Sequence, residues 1–325
     1  MNRNYRWGIL GPGRIAEKFC TAVEFVNGSE VYAVASRDMN KAKEFGTRFN
    51  ASKFYDSYED LWKDEAVDII YIATPHAFHH EQAIACLKHK KAVLCEKPMS
   101  LCYQHTKEMT DAATENKVFL MEAMWTSCMP FIRKIRSLIE EGAIGPVQYI
   151  AADFGFLCEP DVEGRLFNKS LGGGSLLDIG IYPLFLATSI LGEPTTIKAV
   201  SKLSVTGVDE YVNMVLQYAN GETAHLLSTI NFNTPIEAEI IGTKGKIKIN
   251  NPWFKATDFS VHLNDGTTQN FSVPHLSNGF EHEITEVMRC LNKGLLQSVR
   301  MPHHLSLSLS KIMDEILKEA GVEYK

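Results

Sequence analysis

The sequence lacks the cysteine patterns of a disulfide framework or a cysteine zinc cluster. It has seven cysteines, an odd number, and none of them form a C-x-x-C pair. This cysteine usage favours a reducing cytoplasm. No apolar run approaches the ~18 residues of a membrane span, and no signal-peptide core stands at the N-terminus. We therefore expect a cytoplasmic protein with no membrane partner.

The sequence also lacks an excess of basic residues, internal repeats and low-complexity segments. Its net charge is −6, so it offers no basic field for a polyanion, and we expect no nucleic-acid partner. What it has is ordinary globular composition over 325 residues. At roughly 100–200 residues per domain, this length predicts two domains, each with its own core.

The first part of the chain alternates short apolar runs with helical patterns. The runs predict strands at residues 5–10, 31–35, 69–73, 92–95 and 118–121. The helical patterns lie at residues 15–26, 41–49, 80–88 and 103–115. Strands separated by helices in this way form βαβ units around a parallel sheet. We therefore predict an α/β protein that opens with a Rossmann dinucleotide-binding domain over residues 1–123.

The pattern changes after about residue 145. Strands are predicted at residues 147–156, 212–218, 223–232 and 246–249, with hairpin signals at Asn220-Gly221 and Asp265-Gly266. Helices are predicted at residues 176–191, 280–293 and 305–320. We interpret residues 124–325 as a substrate-binding and dimerisation domain of the α+β type, with an open, mostly antiparallel sheet.

The loop after the first strand has the spacing of a dinucleotide-binding turn. It reads Gly11-Pro12-Gly13-Arg14-Ile15-Ala16, between a strand and a helix, which is the context that such a motif requires. Gly11 suits a tight turn, Gly13 lets the backbone approach a pyrophosphate, and Ala16 keeps the helix close to the strand. Free N–H groups at the helix start, at Arg14 and Ile15, would bind the phosphates.

The end of the second strand bears on the choice of coenzyme. NAD sites carry an acid there, whereas we place Ser36 at that position with Arg37 beside it. An acid would repel a 2′-phosphate by about 4 kcal/mol at a separation of about 4 Å and an effective dielectric of about 20. Serine avoids that repulsion and arginine binds the phosphate, so NADP is favoured. If the strand runs one or two residues further, Asp38 becomes the ribose ligand and NAD is the coenzyme.

Two further segments carry chemistry. The strand at residues 92–95 ends in Glu96-Lys97-Pro98, which predicts that Lys97 points into the ligand crevice; the alternative is a surface lysine. After Gly172-Gly173-Gly174, Ser175 is a predicted helix N-cap, and Asp178 and Tyr182 share a helix face at i, i+4. Asp178 also fits a capping box, and Pro183 predicts a kink.

These residues suit hydride transfer from an alcohol, which leaves a hydroxyl proton to be removed. A tyrosine accepts it once its pKa, ordinarily about 10, is lowered by a nearby ammonium. Tyr182 and Lys97 would fill these roles, and Asp178 would orient the substrate hydroxyl or the lysine.

The runs around Lys97 and Tyr182, together with Glu122-Ala123-Met124-Trp125, Gly242-Thr243-Lys244-Gly245 and Asn251-Pro252-Trp253-Phe254, resemble the Gfo/Idh/MocA oxidoreductase family. The resemblance covers nearly the whole chain and is strongest to the branch of dimeric dihydrodiol dehydrogenases and NADP-dependent sugar dehydrogenases. It implies Lys97 and Tyr182 as the catalytic pair, a lysine–proline bond that is often cis, and NADP as coenzyme.

The resemblance extends to the loop after the 69–73 strand. Family members often have Thr-Pro-Asn-x-x-His, and this chain has Thr74-Pro75-His76-Ala77-Phe78-His79, with His76 in place of asparagine. The predicted coenzyme-binding residues are Gly11, Gly13, Arg14, Ile15, Ala16, Ser36, Arg37, Thr74, Pro75, His76, His79, Glu96 and Lys97.

The predicted substrate residues are Trp125, Phe154, Asp178 and Tyr182, since aromatic faces suit sugar rings and cyclic diols. Phe154 fits a sheet core equally well.

No histidine or cysteine cluster has the spacing of a zinc dehydrogenase site, so we expect no metal. The predicted function is NADP-dependent oxidation or reduction of a cyclic polyol, either an aldose or a trans-dihydrodiol. The alternatives are a non-catalytic NADP(H) sensor or scaffold and a sugar–sugar oxidoreductase. We expect a homodimer or higher homo-oligomer through the C-terminal sheet.

Overall fold

The computed structural model describes residues 4–324. In that range the strands are β1 Tyr5–Leu10, β2 Ser29–Ala35, β3 Lys53–Tyr55, β4 Ile69–Ile72, β5 Ala92–Glu96, β6 Leu120–Ala123, β7 Val147–Gly155, β8 Thr196–Leu203, β9 Asp209–Gln217, β10 Thr223–Thr229, β11 Ala238–Gly242, β12 Gly245–Ile249, β13 Asp258–Leu263 and β14 Thr268–Ser272. The α-helices are α1 Arg14–Val23, α2 Met39–Arg48, α3 Tyr58–Lys63, α4 His79–Lys88, α5 Tyr103–Asn116, α6 Pro130–Glu140, α7 Ile181–Leu191, α8 Glu281–Asn292 and α9 His303–Ala320.

The chain divides into two compact units. The first comprises Met1–Ser100, Gln104–Cys128 and His275–Ser306, and the second comprises Leu101–Tyr103, Met129–Pro274 and Leu307–Lys325. The segment 275–306 therefore belongs with the N-terminal unit, although it lies far from it in sequence. The functional division into residues 1–123 and 124–325 stays a prediction.

The first unit is built on a parallel sheet with strand order β3-β2-β1-β4-β5-β6. The chain runs outward from β1 to β3 and then returns to β4, so the strand order reverses between β1 and β4. A crevice forms at such a reversal, at the carboxyl ends of the strands. The predicted Rossmann fold is confirmed.

The core of the first unit contains aromatic rings that pack between α1 and the central strands of the sheet. Phe19 of α1 is fully buried and stacks on Tyr71 of β4, with ring centroids 3.8 Å apart. Trp7 of β1 meets Phe19 edge-on at 5.1 Å. These contacts hold α1 against β1 and β4, so they also fix the helix start that faces the crevice.

The second unit is built on an eight-stranded sheet with order β14-β13-β12-β11-β7-β10-β9-β8. The β7–β10 pair is parallel and the other pairs are antiparallel. Helix α7 packs on β7 and β10, where Ile150, Ala152 and Leu226 are buried. Side chains on the opposite face, such as Val215, are partly exposed. The predicted open, mostly antiparallel sheet is confirmed.

The helix predicted over residues 176–191 is not one regular helix. Leu176–Gly180 forms a π-helical turn and α7 begins only at Ile181. Pro183 explains the change, because it has no N–H to donate to the carbonyl of Ile179 and its ring crowds that carbonyl. The irregularity thus lies one turn before the proline, and Pro183 itself occupies the tolerant first turn of α7.

The expectation about membrane spans needs one correction. The stretch Lys169–Leu191 is long and apolar enough to cross a membrane, by length and composition alone. However, 83% of its most apolar window is buried inside the protein, as in a core helix. The apolar character of this stretch is therefore accounted for by its packing under the sheet.

Candidate active site

The glycine loop occupies the reversal point of the parallel sheet. Gly11 follows β1 and has φ +93°, a left-handed conformation that favours glycine. A Cβ at this position would lie 2.9 Å from Cγ2 of Thr74 and 3.1 Å from the carbonyl carbon of Ala73, both just beyond β4. The loops after β1 and β4 approach so closely that only glycine fits.

Gly13 leaves open space in front of α1. It is the N-cap residue of that helix, and a Cβ placed on it would have no atom within 4 Å. The helix has no side-chain cap hydrogen bond, and the N–H groups of Arg14, Ile15 and Ala16 belong to its first turn, which has no intrahelical acceptors. This cradle has the shape and the donors that a pyrophosphate requires.

Ser36 and Asp38 both follow the end of β2. The strand ends at Ala35, so Ser36 is the first residue beyond it. The carboxylate of Asp38 instead accepts the N–H groups of Asn40 at 2.9 Å and Lys41 at 3.4 Å, which caps α2. Asp38 is thus engaged in the helix start rather than in extending the strand.

A cavity of about 400 Å³ opens beside Arg37 in the first unit. The guanidinium hydrogen-bonds to the hydroxyl of Tyr58. The remaining wall is half apolar or aromatic and half polar, and its polar half includes the carboxylate of Glu81. The lining residues are Arg37, Tyr58, Trp62, Thr74, Pro75, Phe78, Glu81 and Gln82. The aromatic part of this lining suits a flat ring, and Arg37 suits a nearby anionic group, because arginine stacks on aromatic rings and makes two hydrogen bonds to a phosphate.

Lys97 lies directly after β5, at the same edge of the sheet. Glu96 supports this position, since its carboxylate accepts the N–H of Lys97 at 3.2 Å and the hydroxyl of the buried Tyr71. The Lys97–Pro98 peptide bond is cis. Because Glu96 is held from two sides, the backbone from which the lysine side chain extends is fixed.

His79 joins the loops that follow β4 and β5. Its Nδ1 lies 2.9 Å from the carbonyl oxygen of Pro98, and its Nε2 lies 2.9 Å from that of Thr74. The ring is fully buried, and this burial lowers the pKa of His79. The ring of His76 meets it at 5.7 Å. His79 is therefore a structural brace at the predicted coenzyme edge.

Two buried carboxyl groups near this edge were missed by the sequence reasoning. Glu122 accepts the N–H of Met99 at 2.9 Å, and burial raises its pKa to about 7. Neither carboxyl oxygen of the fully buried Glu283 has a hydrogen-bond partner among residues 4–324. Burial and the neighbouring Glu96 raise the pKa of Glu283 well above its ordinary value. Glu283 thus favours its neutral form, whereas a pKa of about 7 leaves Glu122 partly ionised at neutral pH.

Trp125 packs on an aromatic residue that also lay outside the prediction. It begins the short helix Trp125–Cys128, and its ring centroid is 4.4 Å from that of Phe280. Phe280 comes from the segment 275–306, which folds with the first unit. Only this long-range contact brings Phe280 to Trp125, so no local pattern indicates it.

The second unit presents Asp178 from the π-helical turn. Its carboxylate forms an ion pair with Arg165, with Nη1 2.7 Å from Oδ1. The reciprocal capping box considered for Asp178 is not formed, because Ser175 makes no side-chain cap hydrogen bond. Arg165 was missed because it lies in an irregular loop 13 residues earlier. π-Helical turns are frequent at functional sites, which draws attention to this one.

A buried aspartate organises the start of that turn. Ser175 makes no side-chain cap hydrogen bond, so the predicted N-cap role is wrong. Instead, its hydroxyl and the N–H of Leu176 both donate to Oδ2 of Asp209, each at 2.7 Å. A Cβ on Gly174 would lie 2.4 Å from Oδ1 of Asp209. The glycine thus makes room for the carboxylate, and burial raises the pKa of Asp209 to about 6.

Tyr182 lies in a small aromatic cluster of the second unit. Its ring centroid is 5.5 Å from that of Phe154 and 5.3 Å from that of Phe254. Phe154 and Phe254 stack at 4.3 Å. Phe154 is partly exposed and also packs against the buried group Phe167, Ile179 and Ile230, so it is both a core residue and a wall beside Tyr182.

The predicted residues are thus distributed over two units. The first unit carries Gly11, Gly13, Arg14, Ile15, Ala16, Ser36, Arg37, Thr74, Pro75, His76, His79, Glu96, Lys97 and Trp125. The second unit carries Phe154, Asp178 and Tyr182. Their functional roles stay predictions.

Comparison with known proteins identifies the family. Residues 5–124 match the model of the GFO_IDH_MocA oxidoreductase family with an NAD-binding Rossmann fold. Residues 132–248 match the GFO/IDH/MocA C-terminal domain. The chain belongs to the Gfo/Idh/MocA oxidoreductase family. The predicted class of enzyme, an NAD(P)-dependent dehydrogenase or reductase that acts on CH–OH groups, is confirmed.

Three similar proteins span nearly the whole chain. The trans-1,2-dihydrobenzene-1,2-diol dehydrogenase of Xenopus tropicalis is 38% identical over 331 residues, covering 98% of this chain and 99% of its own. A 3-ketoreductase from Actinomadura kijaniata, solved with NADP and TDP-benzene, has 26% identity and a TM-score of 0.87, with 98% of each chain covered. An aldose-aldose oxidoreductase from Caulobacter crescentus shares the fold, with 24% identity, a TM-score of 0.89 and 98% of each chain covered.

The buried Asp209 predicts a pH-dependent effect of Asp209→Asn. The raised pKa means that the folded state holds the proton up to about pH 6, whereas an unfolded aspartate releases it near its ordinary 3.8. The unfolding free energy of wild type therefore falls as the pH rises from about 3.8 to about 6. From pH 4 to pH 7.5 we expect the variant to gain about 2 kcal/mol in unfolding free energy relative to wild type, measured by urea unfolding.

The matched control is Asp56→Asn, which makes the same chemical change at an exposed site. Its stability relative to wild type should be nearly independent of pH. An Asp209→Asn variant whose difference from wild type is equal at both pH values would show that Asp209 is ionised without cost in the folded protein.

Proposed function

We propose that this chain is an NADP-dependent oxidoreductase that transfers a hydride between nicotinamide and a cyclic polyol, either an aldose or a trans-dihydrodiol. The observation that carries the proposal is the position of Lys97 after β5, on the same sheet edge as the open cradle at Gly13. The substrate class is supported by the dihydrodiol dehydrogenase at 38% identity. The cytoplasmic location remains part of this proposal.

The coenzyme would be held by the first unit. The cradle at Gly11 and Gly13, with the first turn of α1, fits the pyrophosphate. Ser36 and Arg37 would receive the 2′-phosphate of NADP, because serine adds no negative charge there and Arg37 borders the adjoining cavity. The residues Thr74, Pro75 and His76 would line the path towards Lys97. We assign these roles to the domain of residues 1–123 and substrate binding to residues 124–325.

The chemistry of this chain's own residues is proton transfer and orientation. The bound nicotinamide would supply or accept the hydride. Tyr182 would take the hydroxyl proton of the substrate during oxidation and return it during reduction. Lys97 would favour the phenolate by its positive charge. Asp178, steadied by Arg165 at 2.7 Å, would orient the substrate hydroxyl.

The aromatic side chains would provide the surface for the ring of the substrate. Phe154 and Phe254 stack at 4.3 Å on one side of Tyr182 in the second unit. Trp125, packed on Phe280, is the predicted contribution of the first unit. Apolar ring faces of sugars and cyclic diols pack well on such side chains, so these residues would set the preference for a cyclic substrate.

Removing either member of the catalytic pair should abolish most turnover. We expect Tyr182→Phe and Lys97→Met each to lower kcat by about 10²- to 10⁴-fold, the usual contribution of general acid–base catalysis. NADPH binding, measured by fluorescence titration, should survive in Tyr182→Phe, since this change removes only a hydroxyl group.

The control for the tyrosine is Tyr218→Phe, which removes a buried hydroxyl that has no hydrogen-bond partner among residues 4–324. The control for the lysine is Lys88→Met, at an exposed position. Both should keep wild-type turnover. Full turnover in Tyr182→Phe and Lys97→Met would refute the assigned roles.

Arg37 should determine the preference for NADP. A hydrogen bond to a charged group is worth roughly 1.5–3 kcal/mol, so Arg37→Leu should weaken NADPH binding by about 10- to 100-fold and leave NADH binding almost unchanged. Arg48→Leu, at the exposed end of α2, is the control. Equal weakening of both coenzymes in Arg37→Leu would contradict a 2′-phosphate site.

We also propose a homodimer through the open face of the C-terminal sheet. Val215 of β9 lies on that face and is 44% exposed, beside side chains from β7 and β10. Sedimentation should show a dimer for wild type and a shift towards monomer for Val215→Glu. The control Val205→Glu, in a turn where the side chain is 96% exposed, should remain dimeric. A monomeric wild type would exclude this interface.

A further inference from the structure

Two histidines and a glutamate converge at the start of α8 in the first unit. The ligand atoms of His275, Glu281 and His282 all lie within 4.8 Å of one another. Nδ1 of His275 is 3.1 Å from Nε2 of His282, and that nitrogen is 3.6 Å from Oε1 of Glu281. None of these residues has a role in the proposed coenzyme or substrate sites.

The separations match those between neighbouring ligands of a tetrahedral metal ion. Zinc–nitrogen and zinc–oxygen bonds of about 2.0–2.2 Å place adjacent ligand atoms about 3.3–3.5 Å apart. The observed 3.1 Å and 3.6 Å lie on either side of that range. The third separation, between His275 and Glu281, is within 4.8 Å, so side-chain rotation would be required to bring all three ligand atoms around one ion. A hydrogen bond between the two rings produces a similar separation, so the two cases must be separated by experiment.

The carboxylate of Glu281 is held in place from behind. Only 2% of the residue is exposed. Oε1 accepts the N–H groups of Leu276 at 2.8 Å and Ser277 at 3.0 Å, so an ion at Oε1 would share that oxygen with two donors. Oε2 accepts the N–H of Gly279 at 2.8 Å. Burial acts to raise its pKa, but these donors outweigh burial, so the pKa of Glu281 lies below its ordinary value. Hydrogen bonds to a carboxylate of this kind fix its orientation as a metal ligand.

We propose that His275, Glu281 and His282 form a binding site for a divalent transition-metal ion, with water completing the coordination. Two imidazoles and one carboxylate form a ligand set that zinc uses in proteins. Both histidines are partly exposed, so an ion reaches them from solvent. This site departs from the expectation of no metal, because the two histidines are seven residues apart and only the turn between them brings their rings together.

The bound ion would brace the turn between residue 275 and α8. Within that turn, Asn278 donates from Nδ2 to the carbonyl of Lys18 in α1 at 2.8 Å. Phe280 packs on Trp125 and meets Phe19 of α1 at 6.5 Å. The metal site is therefore joined to the helix that follows the glycine loop, and its role would be structural rather than catalytic.

The test uses the full-length protein after treatment with a chelator, titrated at pH 7.5 with ZnCl₂ by calorimetry and with CoCl₂ by absorption. We expect one zinc ion per chain and cobalt d–d bands without a thiolate charge-transfer band, which excludes the free cysteines as ligands. Zinc affinity should fall more than about 100-fold in His275→Gln and in His282→Gln. The control His304→Gln, exposed in the same unit, should bind as wild type does.

Glutamine retains hydrogen-bonding groups but lacks the imidazole ligand, so these variants keep a polar side chain at each position while removing a metal ligand. Far-UV circular dichroism and NADPH binding should be unchanged in all three variants. Zinc should raise Tm in wild type and in His304→Gln only. Absence of stoichiometric zinc binding, or equal binding in His275→Gln and wild type, would overturn the proposal. None of these measurements depends on turnover.

Discussion

The first unit depends on a steric constraint between two loops. At Gly11 the loop after β1 comes so close to Thr74 and Ala73, beyond β4, that a Cβ would lie about 3 Å from their atoms. This contact forms at the reversal of strand order, where parallel sheets open a crevice. It aims the start of α1 at that crevice, and His79 ties in the loop that carries Lys97. The open space at Gly13 and the backbone of Lys97 therefore lie at the same edge of the sheet.

The second unit depends on a buried carboxylate rather than on close backbone packing. Asp209 binds Ser175 and Leu176 and so anchors the π-helical turn that presents Asp178 and precedes Tyr182. Pro183 donates no N–H to the carbonyl of Ile179, so the chain is not regular α-helix before α7 begins. The two units thus present their candidate site residues by different means, a close backbone approach in the first and a buried carboxylate in the second.

Local patterns in the sequence predict the strands and helices of the coenzyme unit, because apolar periodicity and the glycine spacing are short-range signals. They miss β3 and α3 in the first unit and α6, β8 and β11 in the second. β3, for example, has only three residues and none of them is fully buried. In the site, Lys97 and Tyr182 stand in recognisable motifs. Asp209, Glu283 and Phe280 do not, because each acts through contacts with residues far away in the chain. Such pairings follow from the fold and not from spacing.

Turnover of a cyclic polyol with NADP distinguishes the proposed enzyme from a sensor that only binds the coenzyme. The most direct measurement follows reduced-nicotinamide absorbance with NADP⁺ and a panel of trans-dihydrodiols and aldoses. We expect coenzyme reduction with at least one of these substrates, and faster reduction with NADP⁺ than with NAD⁺. Tight NADPH binding without turnover across the whole panel would contradict this expectation.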